Sequence, residues 1–350
     1  MSSPTAPVSS DWAAMTRAPE PGAGPKAQPC AVETSDRSRP TIVTAAANFT
    51  RTVPARPPAH TAMVALLAPV GSLESFEPGG GITVAKGAGA ANVAMLISSV
   101  TTLKLEDIVK GGAAPKIYQL YVRGDDAWVA DRVKQAMGAG YDAFCITVDT
   151  QVYSRRERDI AKRFVKSWRT AAVGQDHQAA FSWENFKRVK DKFPDVKFML
   201  KGIGTGEDAE IACQHGVWGV YCSNHGGRQL DHGRGSAEVL PEIVEAVAGR
   251  AKIAIDGSFS RGSDIVKAIA MGADWVGLGR LYCYGLAAAG AAGIERVIEL
   301  LDEEMREVMG LLGVSSLKQL DKSYLSAAMP TNLPGVHSAF PLLNLADEGY

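Results

Sequence analysis

Residues 219–229 read Gly219-Val-Tyr-Cys-Ser-Asn-His-Gly-Gly-Arg-Gln229. The first four form a short apolar run of the kind found in a buried strand. His225, two glycines and Arg228 follow at once. The glycines let the backbone turn sharply and approach a ligand closely. An imidazole, which titrates near neutrality, and a guanidinium fork suited to carboxylates therefore stand side by side where a strand ends. Alone, the segment reads equally well as a surface turn, so the rest of the chain must decide.

Working outward, strand and helix patterns alternate. Buried-strand runs occur at Met63–Leu67, Ala94–Ile97, Lys116–Tyr121, Ala143–Val148, Lys197–Leu200, Gly219–Cys222, Lys252–Ile255 and Trp275–Leu278. Helical spacing covers Asp125–Ala139 with Asp125 as N-cap, Ser182–Lys192, Glu207–His215, Ala237–Ala248 and Arg261–Met271, and long helical patterns close the chain. Trp168–Phe181 reads as a loop. Eight apolar runs, each followed by a helix or helix-like segment, predict an α/β fold, a (β/α)8 TIM barrel over residues 63–350 with C-terminal helices. An open doubly wound sheet is the rival, but no Gly-rich dinucleotide fingerprint follows the first strand. Residues 1–62, rich in Pro, Ala, Ser and Thr, are expected to form a poorly ordered arm.

At 350 residues and 46% hydrophobic, the chain can bury one barrel-sized core or two smaller ones. A formal net charge of −1 argues against a nucleic-acid binder or a polybasic membrane anchor, and no apolar run is long enough for a bilayer. The five cysteines are scattered without metal-type pairs. A metal-free protein of the cytoplasm, acting on a small molecule, is expected.

The barrel reading demands that functional groups gather where strands finish. The strand ends carry Ser98, Gln119 with Tyr121, Thr147 with Asp149, Lys201, Ser223 with His225 and Arg228, Asp256, and Arg280. Singly each has an ordinary explanation: Tyr121 a core aromatic, Lys201 a solvated cap, Asp149 a helix N-cap. Polar groups at nearly every strand end are harder to explain that way.

Tyr118-Gln-Leu-Tyr-Val122, Thr147-Val-Asp-Thr150 with Arg155-Arg-Glu157, Lys201-Gly202, Ser223-Asn-His-Gly-Gly-Arg-Gln229, Asp256-Gly257 and Gly279-Arg280 together resemble the FMN-dependent 2-hydroxy acid oxidase/dehydrogenase family, which includes glycolate oxidase. The resemblance runs in register from about Met63 to Leu320. It implies a flavoprotein that oxidises a 2-hydroxy acid to a 2-oxo acid, passing electrons to FMN and then to oxygen or another acceptor. It implies His225 as base, Asp149 orienting it and stabilising the imidazolium, and Arg156 and Arg228 holding the substrate carboxylate. Tyr121 would bond the reacting oxygen and Lys201 would lie near the flavin ring. Pro69, Val70, Gly71, Ser98, Gln119, Thr147 and Ser223 would complete the ring site. Asp256, Gly257, Ser258, Ser260, Arg261, Gly279 and Arg280 would hold ribityl and phosphate. A homotetramer is implied as well. Independently, oxidising a 2-hydroxy acid needs a base, a carboxylate anchor and an electron sink, and no side chain supplies the sink.

The chain departs from the family pattern in several places. Residues 1–62 show nothing like the family's helical segment with its substrate-contacting tyrosine. Pro-Thr-Ala becomes Pro69-Val-Gly71, Ser-Ser-Trp becomes Ser98-Ser-Val100, and the phosphate turn is Asp256-Gly-Ser-Phe-Ser-Arg-Gly262, leaving Arg261 as its one arginine. The loop after the fourth strand is short. These changes predict a substrate larger or more apolar than glycolate. They also sustain an alternative: a degraded family member that binds flavin or a carboxylate ligand without turnover. Another FMN-barrel chemistry, such as isomerisation, would not need the His225–Arg228 pairing.

Overall fold

The computed structural model describes residues 41–44, 64–154, 163, 174–230 and 232–328. Strand β1 (Thr41–Thr44) pairs antiparallel with β10 (Leu325–Ala328). It lies inside the stretch expected to lack order, and the remainder of 1–62 lies outside the described residues. Between them runs a closed barrel of eight parallel strands in sequence order. These are β2 (Ala65–Leu67), β3 (Ala94–Ser98), β4 (Lys116–Leu120), β5 (Ala143–Thr147), β6 (Phe198–Ile203), β7 (Gly219–Cys222), β8 (Lys252–Ile255) and β9 (Trp275–Leu278). Strand β9 pairs back onto β2, with Leu67 opposite Leu278, and the ring closes.

Each strand leads to helix. The helices are α1 (Gly80–Ala91), α2 (Leu105–Lys110), α3 (Asp126–Ala139), α4 (Gln175–Ala180), α5 (Trp183–Lys192), α6 (Gly206–Gln214), α7 (Ser236–Val247), α8 (Gly262–Ala270) and α9 (Arg280–Leu311). Their starts follow capping rules. The Asp125 carboxylate accepts from Trp128 N, and Ser182 and Asn185 form a reciprocal capping box. Helix α9 is broken at Ala289 and Gly290, whose φ angles are −152° and +58°. Helix α4 corrects the loop expected over 168–181. It spans six residues, too few for a hydrophobic period to show in the sequence.

The period of two along each strand splits the core in two. One phase (Leu67, Ile97, Tyr118, Phe144, Ile146, Leu200, Val220 and their kin) packs outward against the helices. The other phase places Leu66, Leu96, Ile117, Cys145, Met199, Tyr221 and Ala254 in a separate apolar cluster, which fills the barrel. Two residues further along the same inward phase stand Ser98, Gln119, Thr147, Lys201, Ser223 and Asp256, all buried. The inward phase is thus apolar at the foot of the barrel and polar at its head, which positions the site.

Gly277 shows how tightly the barrel foot is filled. A Cβ there would lie 2.0 Å from the Tyr221 hydroxyl and 3.2 Å from Asp256 Cβ. Tyr221 is fully buried. Gly277→Ala is therefore expected to cost about 1–3 kcal/mol through overpacking, read as a lower urea midpoint; an unchanged midpoint would show that the ring has room to move.

Candidate active site

The head of the barrel opens into a cavity of about 700 Å³. Its wall includes Pro69, Val70, Gly71, Val100, Tyr121, Lys201, His225, Arg228, Asp256, Gly257, Ser258, Ser260, Gly279 and Arg280. Five consecutive strands, β4 to β8, supply the reactive cluster. His225 follows β7, and its Nδ1 lies 2.9 and 3.1 Å from the two carboxylate oxygens of Asp149, which follows β5. Its Nε2 lies 3.4 Å from the Tyr121 hydroxyl, just past β4. Lys201 on β6 donates to Ser223 Oγ at 2.9 Å and lies 3.6 Å from Asp256, just past β8.

The backbone works to hold His225. Its φ is +57°, followed by +64° at Gly226 and +70° at Gly227. A left-handed β-carbon-bearing residue costs roughly 1–3 kcal/mol and persists only where neighbours over-determine it. Here Ser223 Oγ accepts from His225 N at 3.1 Å, the Asn224 side chain accepts from Gly227 N at 3.1 Å, and Asp149 fixes the ring. Gln229 Nε2 donates to Asp149 O at 2.9 Å and Val152 O at 3.0 Å, tying this loop to the one after β5. The Ser154 hydroxyl donates to Arg228 O.

Burial opposes ionisation of Asp149, but the His225 hydrogen bond and the Lys201 charge outweigh it and hold the carboxyl below the usual carboxylate range. Burial likewise opposes the Lys201 ammonium, and the charges of Asp256 and Asp149 overcome it, raising Lys201 above the usual lysine range. The imidazole therefore presents Nδ1–H to a carboxylate and leaves Nε2 facing the cavity as the basic nitrogen.

Another part of the wall has the character of an anion cradle. Gly279 is the N-cap of α9 and Arg280 its first residue. Arg280 Nη2 donates to Gly226 O at 3.0 Å, which steadies the guanidinium across the cavity mouth. Ser258 and Ser260 flank it, with Ser258 itself left-handed at φ +61°. A helix N-terminus, a guanidinium and two hydroxyls together suit a phosphate. Below, Gln119 donates to Thr147 Oγ1 at 2.7 Å, while its Oε1 and Asp256 Oδ1 are buried without a hydrogen-bond partner. Orphaned buried acceptors are rare unless a ligand completes them.

Not every expected residue meets the others. Ser98, Gln119, Thr147 and Ser223 lie buried beneath the cavity wall. Arg261 does not line the cavity; its Nε pairs with Glu304 of α9 at 2.8 Å, drawn to an acid on the packed helix. Arg156 and Arg155 lie outside the described residues. Gly71 and Val100 do not both add room. A methyl on Gly71 would sit 3.0 Å from Val100 Cβ, so valine already claims that space.

Other wall residues were not anticipated: Phe76, Arg123, Tyr153 and Gln178. Gln178 on α4 is buried, accepts from Val122 N at 2.6 Å and donates to Thr147 O at 3.0 Å, clamping the ends of β4 and β5.

Residues 59–327 match the model of a family described as FMN-dependent dehydrogenase. An L-lactate oxidase of a Nostoc species is 35% identical over 287 residues, covering 74% of this chain and 78% of the relative. The glycolate oxidase of Spinacia oleracea is 34% identical, covering 76% and 78%. Among solved structures, mandelate oxidase with (S)-2-phenylpropionate aligns with a TM-score of 0.68 at 37% identity, over 75% of this chain and 78% of its own. The monotopic membrane protein (S)-mandelate dehydrogenase aligns at 0.73 and 28% identity, over 82% and 88%.

Two outcomes are expected from this geometry. Ser258→Gly removes a left-handed β-carbon and should stabilise the protein by about 1 kcal/mol, measured by urea unfolding at fixed cofactor concentration; a lower midpoint would mean that the hydroxyl matters more than the strain. Asp149 is depressed in the folded state, so its stabilising contribution is complete above the unfolded value of about 3.9 and is lost as pH falls through the lower folded value. Asp149→Asn should accordingly flatten the acid limb of the stability profile, and an unchanged limb would contradict the assignment.

Proposed function

The chain belongs to the FMN-dependent dehydrogenase family, and on that premise we propose that His225 is the base through which it oxidises a 2-hydroxy acid to a 2-oxo acid. One observation carries this reading. His225, held by Asp149 at 2.9 Å, faces Tyr121 at 3.4 Å in the same cavity as Arg228. Side chains alone offer no electron sink for such a reaction; FMN, when bound, supplies it.

The residues present fit that cofactor. Arg280, Ser258, Ser260 and the amides of Gly257 and Gly279 would take its phosphate. Lys201, Gln119, Thr147, Ser98 and Ser223 would serve the ring, against a wall of Pro69, Val70 and Gly71. The orphaned Gln119 Oε1 supports this reading, since it needs a donor. A buried ammonium beside the ring would favour an added electron pair there.

The protein's own steps follow from geometry. Arg228 takes the substrate carboxylate in a bidentate grip, with Arg156 as its proposed second arm. That anchor places the hydroxyl-bearing carbon near Tyr121 and His225, an alignment that lowers the barrier on its own. Tyr121 bonds the reacting oxygen. Nε2 of His225 takes the substrate's proton, and the Asp149 carboxylate stabilises the imidazolium so formed. The alternative of binding without turnover finds no support in the site: a simple binder has no need for a left-handed histidine locked to a carboxylate.

The substrate proposed is larger than glycolate. The cavity volume and Val100 in place of an aromatic wall support this, as do the mandelate oxidases among similar structures. A homotetramer rests on the resemblance. A cytoplasmic location rests on Cys145, Cys213, Cys222 and Cys283 all being unpaired thiols. No described helix is long and apolar enough to cross a membrane.

His225→Asn should retain FMN and a carboxylate ligand yet slow anaerobic flavin reduction by roughly 10²–10⁴-fold, the usual loss for a general base. Arg228→Met should raise KM and lower kcat together. Near wild-type reduction by His225→Asn would remove His225 from the mechanism. Glycolate outperforming every longer-chain and aryl 2-hydroxy acid would overturn the size argument.

A further inference from the structure

Arg123 stands on the cavity wall with a charge that the proposed reaction does not use. It follows two residues after Tyr121, past the end of β4 at Leu120, and both residues line the cavity. Among the described residues no carboxylate pairs with it. Partial burial pulls its pKa below the usual arginine value, and among the described residues Tyr121 is the group that acts against that shift. A partly buried arginine on a cavity wall is suited to binding an anionic group of a ligand.

The backbone beneath Arg123 is pinned. Gln178 accepts from the preceding Val122 N at 2.6 Å. Gly174, at φ +76°, packs so closely that a Cβ would lie 2.2 Å from Arg123 O. A side chain on so fixed a base is pre-organised, which lowers the entropic cost of binding.

We propose that Arg123 selects 2-hydroxy acids carrying a second acidic group at the far end of the chain, by binding that group. Arg228 grips the first carboxylate, Tyr121 and His225 meet the hydroxyl-bearing carbon, and Arg123 takes the distal carboxylate. The substrate class is therefore a 2-hydroxy dicarboxylic acid of four or five carbons. The inference rests on the oxidation reading above and adds the substrate's other end to it.

The test compares three substrates on the FMN-loaded protein: 2-hydroxyglutarate, 2-hydroxypentanoate, which has the same chain with a methyl in place of the distal carboxylate, and mandelate. The diacid should be favoured over 2-hydroxypentanoate in kcat/KM by at least about 10-fold, through a lower KM, as a charge-assisted hydrogen bond implies. Arg123→Leu should abolish that ratio and Arg123→Lys should keep part of it, with bound FMN measured by absorbance in each. Glutarate, as a competitive ligand, should bind wild type by calorimetry at least about 10-fold more tightly than it binds Arg123→Gln. A wild type that prefers either monoacid, or a preference that survives in Arg123→Leu, overturns the inference and leaves the His225 mechanism standing. If none of the three substrates, nor any other 2-hydroxy acid, reduces the flavin, the oxidation reading falls and this inference falls with it.

Discussion

A buried lysine sets the terms for the head of this barrel. Lys201 is withdrawn from water on β6, and an ammonium there is tolerable only between carboxylates. Asp256 beyond β8 and Asp149 beyond β5 both raise its pKa, and Asp149 is in turn bound to His225 beyond β7. Four consecutive strands are thus coupled through one line of charges. Two carboxylates face one ammonium, so the line carries an excess negative charge while the imidazole is neutral. The arrangement that makes Lys201 tolerable also ties the His225 ring to the same set of charges.

The barrel was legible because its signal is redundant. Eight apolar runs separated by helical periods leave few folds available. The site was legible for a related reason: with the inward phase fixed by Leu96, Ile117, Cys145, Met199 and Tyr221, the next inward residues had to crowd at one end. His225, Asp149 and Tyr121 lie beyond the strands, yet they keep that phase and meet. What escaped the sequence depends on contacts between distant segments. Gln178 reaches Val122 and Thr147 from a six-residue helix inside an apparent loop. Helix α1 is rich in glycine and a poor helix former by itself. Its Gly87 is there because a Cβ would lie 2.9 Å from Ala291 O of α9. Arg261 sat at the right place in the phosphate turn, but a neighbouring glutamate on α9 claimed it. Arg123 had a signal, two residues past Tyr121, that an isolated arginine in a turn does not advertise.

Among the described non-glycine residues with left-handed backbone, Ser72, His225 and Ser258 line the cavity, whereas Asn92, Arg163, His232 and Ala248 do not. His225 and Ser258 both hold left-handed backbone on the wall of one cavity. At His225 the hydrogen bonds of Ser223, Asn224 and Asp149 explain how it is maintained. Ser258 lines the cavity beside Gly257 and Ser260. The barrel foot shows the opposite policy, with Tyr221 filling the interior so fully that only glycine fits beside it at position 277. Rigidity below supports tension above.

The pairing of Thr41–Thr44 with Leu325–Ala328 has a consequence for the order of events during synthesis. The early strand meets its partner only after every barrel strand has emerged from the ribosome. Barrel closure between β2 and β9 carries the same delay on a smaller scale. Both contacts are among the most non-local available to the chain, and such contacts slow folding and prolong the life of open sheet edges. Until then β2 waits with one edge unpaired, so a nascent chain stalled before Trp275 is the species most exposed to wrong partners.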